Sequence, residues 1–336
     1  MGSLHDNDET HTKSLFSLLC ESGEFFPYIH TDEASVVKSS CQENGRRNII
    51  TCKDKNLNEF LLEVNSLDMN TVHLNGVDIL LGEYIPVIPR KFFKSSATFI
   101  PQKIVAISLS DIFVSPPLNL KDKKYHVSPT LKINRKVLYN PVFKNKKVIL
   151  LSDARDVLLE HLWWNRKKIK LFDILARIGF YAVSTPNFSL FKGECPMGHA
   201  WNIKKGLIYG EELEKRGVMV IPHIYAVHVK QLERWCDWLK RNPSVKTVAM
   251  NCQLQRKSIV GRDIAVNALK HILANTDVSI ILNGSDKRIL SQLEKFKTRL
   301  YTASSGAFKN LEIKKQMSPF LYKSWIENTR KVSATP

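Results

Sequence analysis

The chain has 336 residues, 43% of them hydrophobic, and carries 50 Lys and Arg against 32 Asp and Glu, a formal net charge of +18. This length admits one large or two ordinary domains, and no stretch approaches the roughly 20 apolar residues of a membrane helix, which sets a membrane partner aside. The excess of positive charge favours a polyanion, nucleic acid first, with DNA and RNA not distinguished.

Residues 1–13 are polar and mixed in charge, so they read as a disordered tail and not as a secretory signal, and a cytoplasmic protein is expected. Region 14–120 reads as an irregular α+β part. It has a short helix at 15–26, apolar segments at 48–52, 59–64, 72–74 and 77–81, and a hairpin signal at Asn75-Gly76. Pro86 and Pro89 make 85–89 look like an extended surface strand. A further strand is expected at 104–109.

Region 121–147 is a basic connecting segment. Lys121, Lys123, Lys124, Lys132, Arg135, Lys136, Lys144, Lys146 and Lys147 alternate with apolar and aromatic residues, which fits either a solvated linker or a patch facing nucleic acid. From 148 to 310 the pattern is regular. Strands are expected at 148–151, 180–183, 218–221, 246–250, 278–282 and 299–302. Between them lie helices at 157–178 (broken near Lys168), 197–216, 229–241, 259–273 and 287–296, and 311–336 is a C-terminal extension. Such alternation requires parallel strands with crossover helices. The fold class is therefore α/β, a (β/α)-barrel-like repeat, with a doubly wound open parallel sheet as the alternative. Segments near 74–81 and 104–109 are available to bring the strands to eight. No dinucleotide fingerprint or phosphate loop follows any strand, which argues against a Rossmann dehydrogenase or a P-loop ATPase.

In barrels and open α/β sheets functional groups sit at the C-terminal ends of strands. There Asp153 and Asp156 follow the first strand of the repeat. Asp153 suits a nucleophile, a general base or an acceptor of ligand hydroxyls, whereas Asp156 also suits a helix cap. Thr185, Asn187, Phe188 and Ser189 follow the second strand, Trp201 and Asn202 lie on the next helix, and Lys204 and Lys205 continue it as a basic rim. His223 ends the third strand and is an acid–base candidate. Asn251 and Gln253 follow the fourth as readers of a polar ligand, and Asn283 and Ser285 follow the fifth. The six cysteines, Cys20, Cys41, Cys52, Cys195, Cys236 and Cys252, show no Cys-x-x-Cys pair, so no zinc site of ordinary spacing is expected; the sequence names no cofactor.

The run from Thr185 to Phe191, with Pro196, Trp201-Asn202, Gly210, Gly217 and Val220-Ile221-Pro222, resembles the bacterial and phage family catalogued as Domain of Unknown Function 4417, over residues 147–290. The resemblance makes Asp153 and Asp156 the acidic positions and implies a phage or mobile-element setting, with a protein partner from the same element. Two departures stand out: Asn187 where the family pattern has Asp, and Lys204 and Lys205 where it tends to Arg.

Two function classes follow. One is an enzyme acting on a base, a glycosidic bond or a phosphodiester at the mouth of a βα barrel, in one variant with Asp153 and Asp156 holding Mg²⁺. The other is a non-catalytic module, either binding nucleic acid or serving a structural role in a mobile element.

Overall fold

The computed structural model describes residues 67–79, 84–94, 100–114, 132–190, 196–253, 255–306 and 308. The helix expected at 15–26, the segments at 48–64, and Lys123 and Lys124 lie outside these residues. The described elements are, in chain order, β1 Tyr84–Pro86, β2 Ile104–Ser108, α1 Leu109–Ile112, β3 Phe113–Val114, β4 Lys132–Ile133, β5 Lys147–Leu151, α2 Asp156–Asn165, α3 Leu171–Ile178, β6 Ala182–Ser184, α4 Pro196–Glu214, β7 Val220–Ile221, α5 Val229–Arg241, β8 Thr247–Asn251, α6 Ile259–Asn275, β9 Ser279–Asn283, α7 Lys287–Ser291 and β10 Leu300–Ser304.

The strands form two four-stranded, all-parallel sheets, β2-β5-β6-β7 and β1-β10-β9-β8, beside the small antiparallel β3-β4 ribbon. Their edges meet at two seams. Val87, just past β1, bridges Ala106 of β2, and His223, just past β7, bridges Ala249 of β8. Backbone bonds of 2.8 Å, from Ile88 N–H to the Ala106 carbonyl and from Ile224 N–H to the Ala249 carbonyl, hold the two seams. Hydrogen bonding thus passes around eight strands in the order β1-β2-β5-β6-β7-β8-β9-β10 and back to β1.

Side-chain packing explains why the ring holds. One face of every strand enters a separate interior cluster that also takes in Val77, Ile79, Val87 and Leu151; the strands contribute to it Ile85, Ala106, Ile149, Ala182, Ile221, Ala249, Ile281 and Ala303. Taken around the ring, these residues alternate between isoleucine and alanine. A ring of eight isoleucines would overfill the interior and a ring of eight alanines would leave it void; large beside small fills it. Following the strand registers once around returns to β1 about eight residues from the start, the stagger expected of an eight-stranded barrel. The opposite strand faces, among them Val105, Val148, Leu150, Val183, Val248 and Ile280, pack outward against Leu159, Leu175, Leu207, Trp235 and Leu269 of the helices.

Several expectations are corrected. Residues 72–79 are not a hairpin. Asn75 and Gly76 instead point their backbone N–H groups at the two carboxylate oxygens of Glu214, each at 2.8 Å, and Val77 and Ile79 enter the interior cluster. Gly76 has φ +62°, and a Cβ there would lie 2.8 Å from the Val245 Cα, so the turn is pressed into the body of the protein and not held out at a tip. The segment read as a surface strand at 85–89 contains β1, a buried staple of the ring. Pro86 lacks a donor, but Val87 N–H bonds the Ser304 carbonyl on one side and Ile88 N–H the Ala106 carbonyl on the other. The break expected near Lys168 in 157–178 is, by contrast, present: α2 ends at Asn165, α3 begins at Leu171, and Lys170 between them takes φ +51°. The helix expected at 287–296 ends at Ser291, and a 3-10 segment follows from Glu294–Arg299.

Ala249→Ile puts two isoleucines side by side against Ile281 and should cost about 1–3 kcal/mol by overpacking. Combining it with Ile281→Ala restores the alternation and should recover part of the loss, a coupling that urea melts of the two single variants and the double variant would measure.

Candidate functional site at the C-terminal mouth

Because all eight strands run in parallel, their C-terminal ends share one face. There the interior stops being apolar, and neighbouring strands are laced together by polar groups. Ser108 Oγ donates to the Asp153 carbonyl at 3.2 Å. Ser152 N–H donates to Ser184 Oγ at 2.8 Å. His223 N–H donates to Thr185 Oγ1 at 2.8 Å, and Asn251 N–H to His223 Nε2 at 3.0 Å. Cys252 N–H and Gly284 N–H carry the belt on to the Asn283 and Ala303 carbonyls. The Ser108 hydroxyl that begins this belt carries no motif in the sequence; its only signal is position, at the end of an apolar strand.

Asp153 lies at the centre. Its Oδ2 accepts from Asn283 Nδ2 at 2.5 Å. β5 and β9 stand on opposite sides of the ring, so this bond spans the mouth. Oδ1 faces His223 Nδ1 at 3.3 Å without the alignment of a hydrogen bond, and neither atom has another partner. The Asp153 side chain is 7% exposed and that of His223 1%. Burial holds the His223 imidazole below its ordinary pKa of 6.5, with Asp153 pulling weakly the other way. Gln253 Nε2 approaches Asn283 Oδ1 at 3.5 Å and its side chain lies over Gly284, where φ is +75° and a Cβ would come within 2.3 Å of Gln253 Cγ. Ser285 is half-buried beside this turn, and Asp286, not Ser285, caps α7 through Ile289 N–H at 3.1 Å.

A second polar cluster clamps the turn after β6. Asp156 does not cap α2: it is the helix's first residue, and its Oδ1 accepts from Ser189 N–H at 3.2 Å. Asn202 Nδ2 donates to the Ser189 carbonyl at 2.9 Å, and Tyr225 OH donates to the Asn202 carbonyl at 2.7 Å. Asn187 is half-buried in this turn. Phe188 and Trp201, both named above as candidate site residues, are buried and each meets Trp163 edge-to-face.

Lys204 and Lys205 are not a basic rim; each is 1% exposed. Lys204 Nζ donates to the Asp68 carbonyl at 2.6 Å and to Thr71 Oγ1, tying down the segment before β1. Lys205 Nζ pairs with Glu160 Oε1 at 2.5 Å and lies 4.0 Å from the Phe188 ring centroid. Burial lowers the pKa of Lys205, and Glu160 offsets part of that shift. Glu160 sits one turn after Asp156 on α2, and no spacing in the sequence links it to Lys205.

The surface charge lies elsewhere. The whole +18 excess falls on the described residues, since Lys and Arg balance Asp and Glu in the remainder. Around the mouth, exposed basic side chains occupy the segments after β1 (Arg90, Lys91, Lys94), β5 (Arg155), β7 (Lys230), β8 (Lys257) and β9 (Lys287, Arg288). Arg135 and Lys136 are exposed in the turn after β4. Among the described residues, no group of three or more His, Cys, Asp or Glu could hold a metal ion, and no helix is long and apolar enough to cross a membrane.

The fold and site together define an α/β protein of parallel strands with a polar, carboxylate-centred mouth. The chain matches no protein-family model, and no curated protein matches it, so the likeness to Domain of Unknown Function 4417 rests on the residues quoted above.

The depressed pKa of His223 makes a sign-definite prediction. The unfolded imidazole takes up a proton near pH 6.5 and the folded one only at lower pH, so stability is fully present above 6.5 and falls as pH drops through the folded pKa. His223→Gln should flatten part of this acid slope in urea melts taken at a series of pH values. Some slope should persist, because burial depresses His161 in the same direction.

Proposed function

We propose that this protein is an enzyme acting on a nucleic acid or nucleotide at its C-terminal mouth, with Asp153 as the side chain that meets the reacting group. The observation that carries this reading is Asp153 Oδ1: a buried oxygen with no hydrogen-bond partner, on a carboxylate whose other oxygen is fixed by Asn283. A buried polar atom left unsatisfied costs stability, and such atoms persist where function requires them. Among the described residues no lysine or arginine pairs with this carboxylate, so its capacity as an acceptor is not consumed by a fixed cation. The exposed bases around the mouth supply the attraction for a phosphate backbone, which supports the choice of substrate class. The likeness to the phage and mobile-element family would place this activity, and a protein partner, in that setting.

Asp153→Asn keeps an acceptor for Asn283 and removes the charge. It should abolish turnover or ligand binding while changing stability by less than about 1 kcal/mol. The assay pairs thermal melting with a panel of DNA and RNA oligonucleotides and free nucleotides. A large drop in melting temperature would make Asp153 structural, and full activity in the variant would put the site elsewhere.

Oligonucleotide binding should weaken steeply as salt rises, because each neutralised phosphate releases counterions. Charge reversal at Lys287 and Arg288 should shift that salt dependence. Absence of binding at low salt would remove nucleic acid as the partner. Binding that persists without any turnover, and is indifferent to Asp153→Asn, would favour the non-catalytic module.

A further inference from the structure

We infer that Asp153 and His223 together form a binding site for a single hydroxyl group, a water or an alcohol of the substrate, which donates to Asp153 Oδ1 and accepts from His223 Nδ1–H. A backbone N–H can only donate, and that of Asn251 points at His223 Nε2 from 3.0 Å. Nε2 must therefore be the bare, accepting nitrogen, and in a neutral ring the proton sits on Nδ1.

Burial and the Asn251 N–H hold the ring neutral against the pull of the Asp153 carboxylate, and three groups face it. They are the Asp153 carboxylate from the β5 end, the Asn251 amide from the β8 end, and the Tyr225 ring at 5.9 Å on the chain just beyond. Asn283, reaching from β9, touches Asp153 and not the imidazole. His223 itself is held in place from behind, since its own N–H is bonded to Thr185 Oγ1.

At the near side, then, a donor and an acceptor lie 3.3 Å apart, misaligned with each other and with no other partner. A third atom placed beside the pair reaches both at hydrogen-bond distance. It must accept from one and donate to the other. An ammonium or a metal cation cannot accept, and a phosphate or carboxylate oxygen cannot donate. A hydroxyl does both. The near-complete burial of both side chains limits the occupant to something that small. On this assignment His223 is a positioning residue, and the carboxylate is the group able to draw on the hydroxyl proton.

This inference rests on Asp153 being the reacting group, but it is tested without turnover. In protein with ¹⁵N-labelled histidine, His223 is identified by the signals lost in His223→Gln. It should show a protonated Nδ1 and a bare Nε2, unchanged from about pH 8 to about pH 6, a range in which an ordinary histidine titrates. A proton on Nε2, or an ordinary titration, would overturn the assignment. In a high-resolution crystal structure, an oxygen should lie within about 3 Å of both Asp153 Oδ1 and His223 Nδ1. A cation or chloride there, or no ordered atom, would also overturn it. If both results hold while no oligonucleotide or nucleotide is bound or processed, the hydroxyl site stands and the proposed substrate class falls. If substrate is processed through Asp153 while His223 titrates normally, the hydroxyl site falls alone.

Discussion

The alternation of isoleucine and alanine inside the ring is the constraint from which the rest of the structure follows. Eight strands can close only if their inward side chains share one small volume, and Ile85, Ala106, Ile149, Ala182, Ile221, Ala249, Ile281 and Ala303 meet that condition by size. Closure then fixes the direction of every strand end. Asp153, His223, Asn251 and Asn283 come from four different strands and are far apart in the chain, yet they meet because the packing one layer below leaves the strands no other place to end. The site is thus a by-product of core geometry, and its precision depends on residues that never touch it.

The mouth is also organised by unequal satisfaction of its polar groups. Ser184 Oγ, Thr185 Oγ1 and His223 Nε2 each accept a backbone N–H from a neighbouring strand or strand end, so they extend the sheet's own ladder by one rung. These side chains are used up in holding the strands together. Asp153 Oδ1 and His223 Nδ1 are not used up, and neither is Ser152 Oγ beside them. Lys205 and Glu160 Oε1 are also used up, at higher cost, while Glu160 Oε2 has no partner. Their charges are taken out of water to pin the turn that carries Phe188 and Ser189, an arrangement more informative about geometry than about net stability.

How much of this the sequence disclosed depends on the range of the interaction. The runs Val148-Ile149-Leu150-Leu151 and Ser279-Ile280-Ile281-Leu282 announce buried parallel strands by composition alone, and the helices between them by period. Residues ending those strands were legible for the same reason, which is how Asp153, His223, Asn251 and Asn283 were found. β1 was hidden because Pro86 and Pro89 speak for an exposed edge, and only the presence of β10 on one side and β2 on the other makes it interior. The burial of Lys204 was illegible for a related reason: its partners, the Asp68 carbonyl and Thr71 Oγ1, are more than a hundred residues earlier in the chain. Lysine in a long chain normally signals solvent, and no local pattern marks the exception.

The pairing of β1 with β10 joins Tyr84 to Thr302, nearly the full span of the described chain. A growing polypeptide presents β1 long before its neighbour on that side exists. Until residue 304 has left the ribosome, the nascent sheet carries open edges at both ends, with Tyr84–Pro86 and whichever strand was made last offering unpaired backbone groups. The contact that completes the ring is therefore among the last to form and among the most distant in sequence, the condition under which folding is slow and partly built intermediates are exposed to association. The closed ring that shelters the mouth is thus obtained at the end of synthesis, with Pro86 in the first strand and Pro89 just beyond it, poor partners for any stray edge, guarding it in the interval.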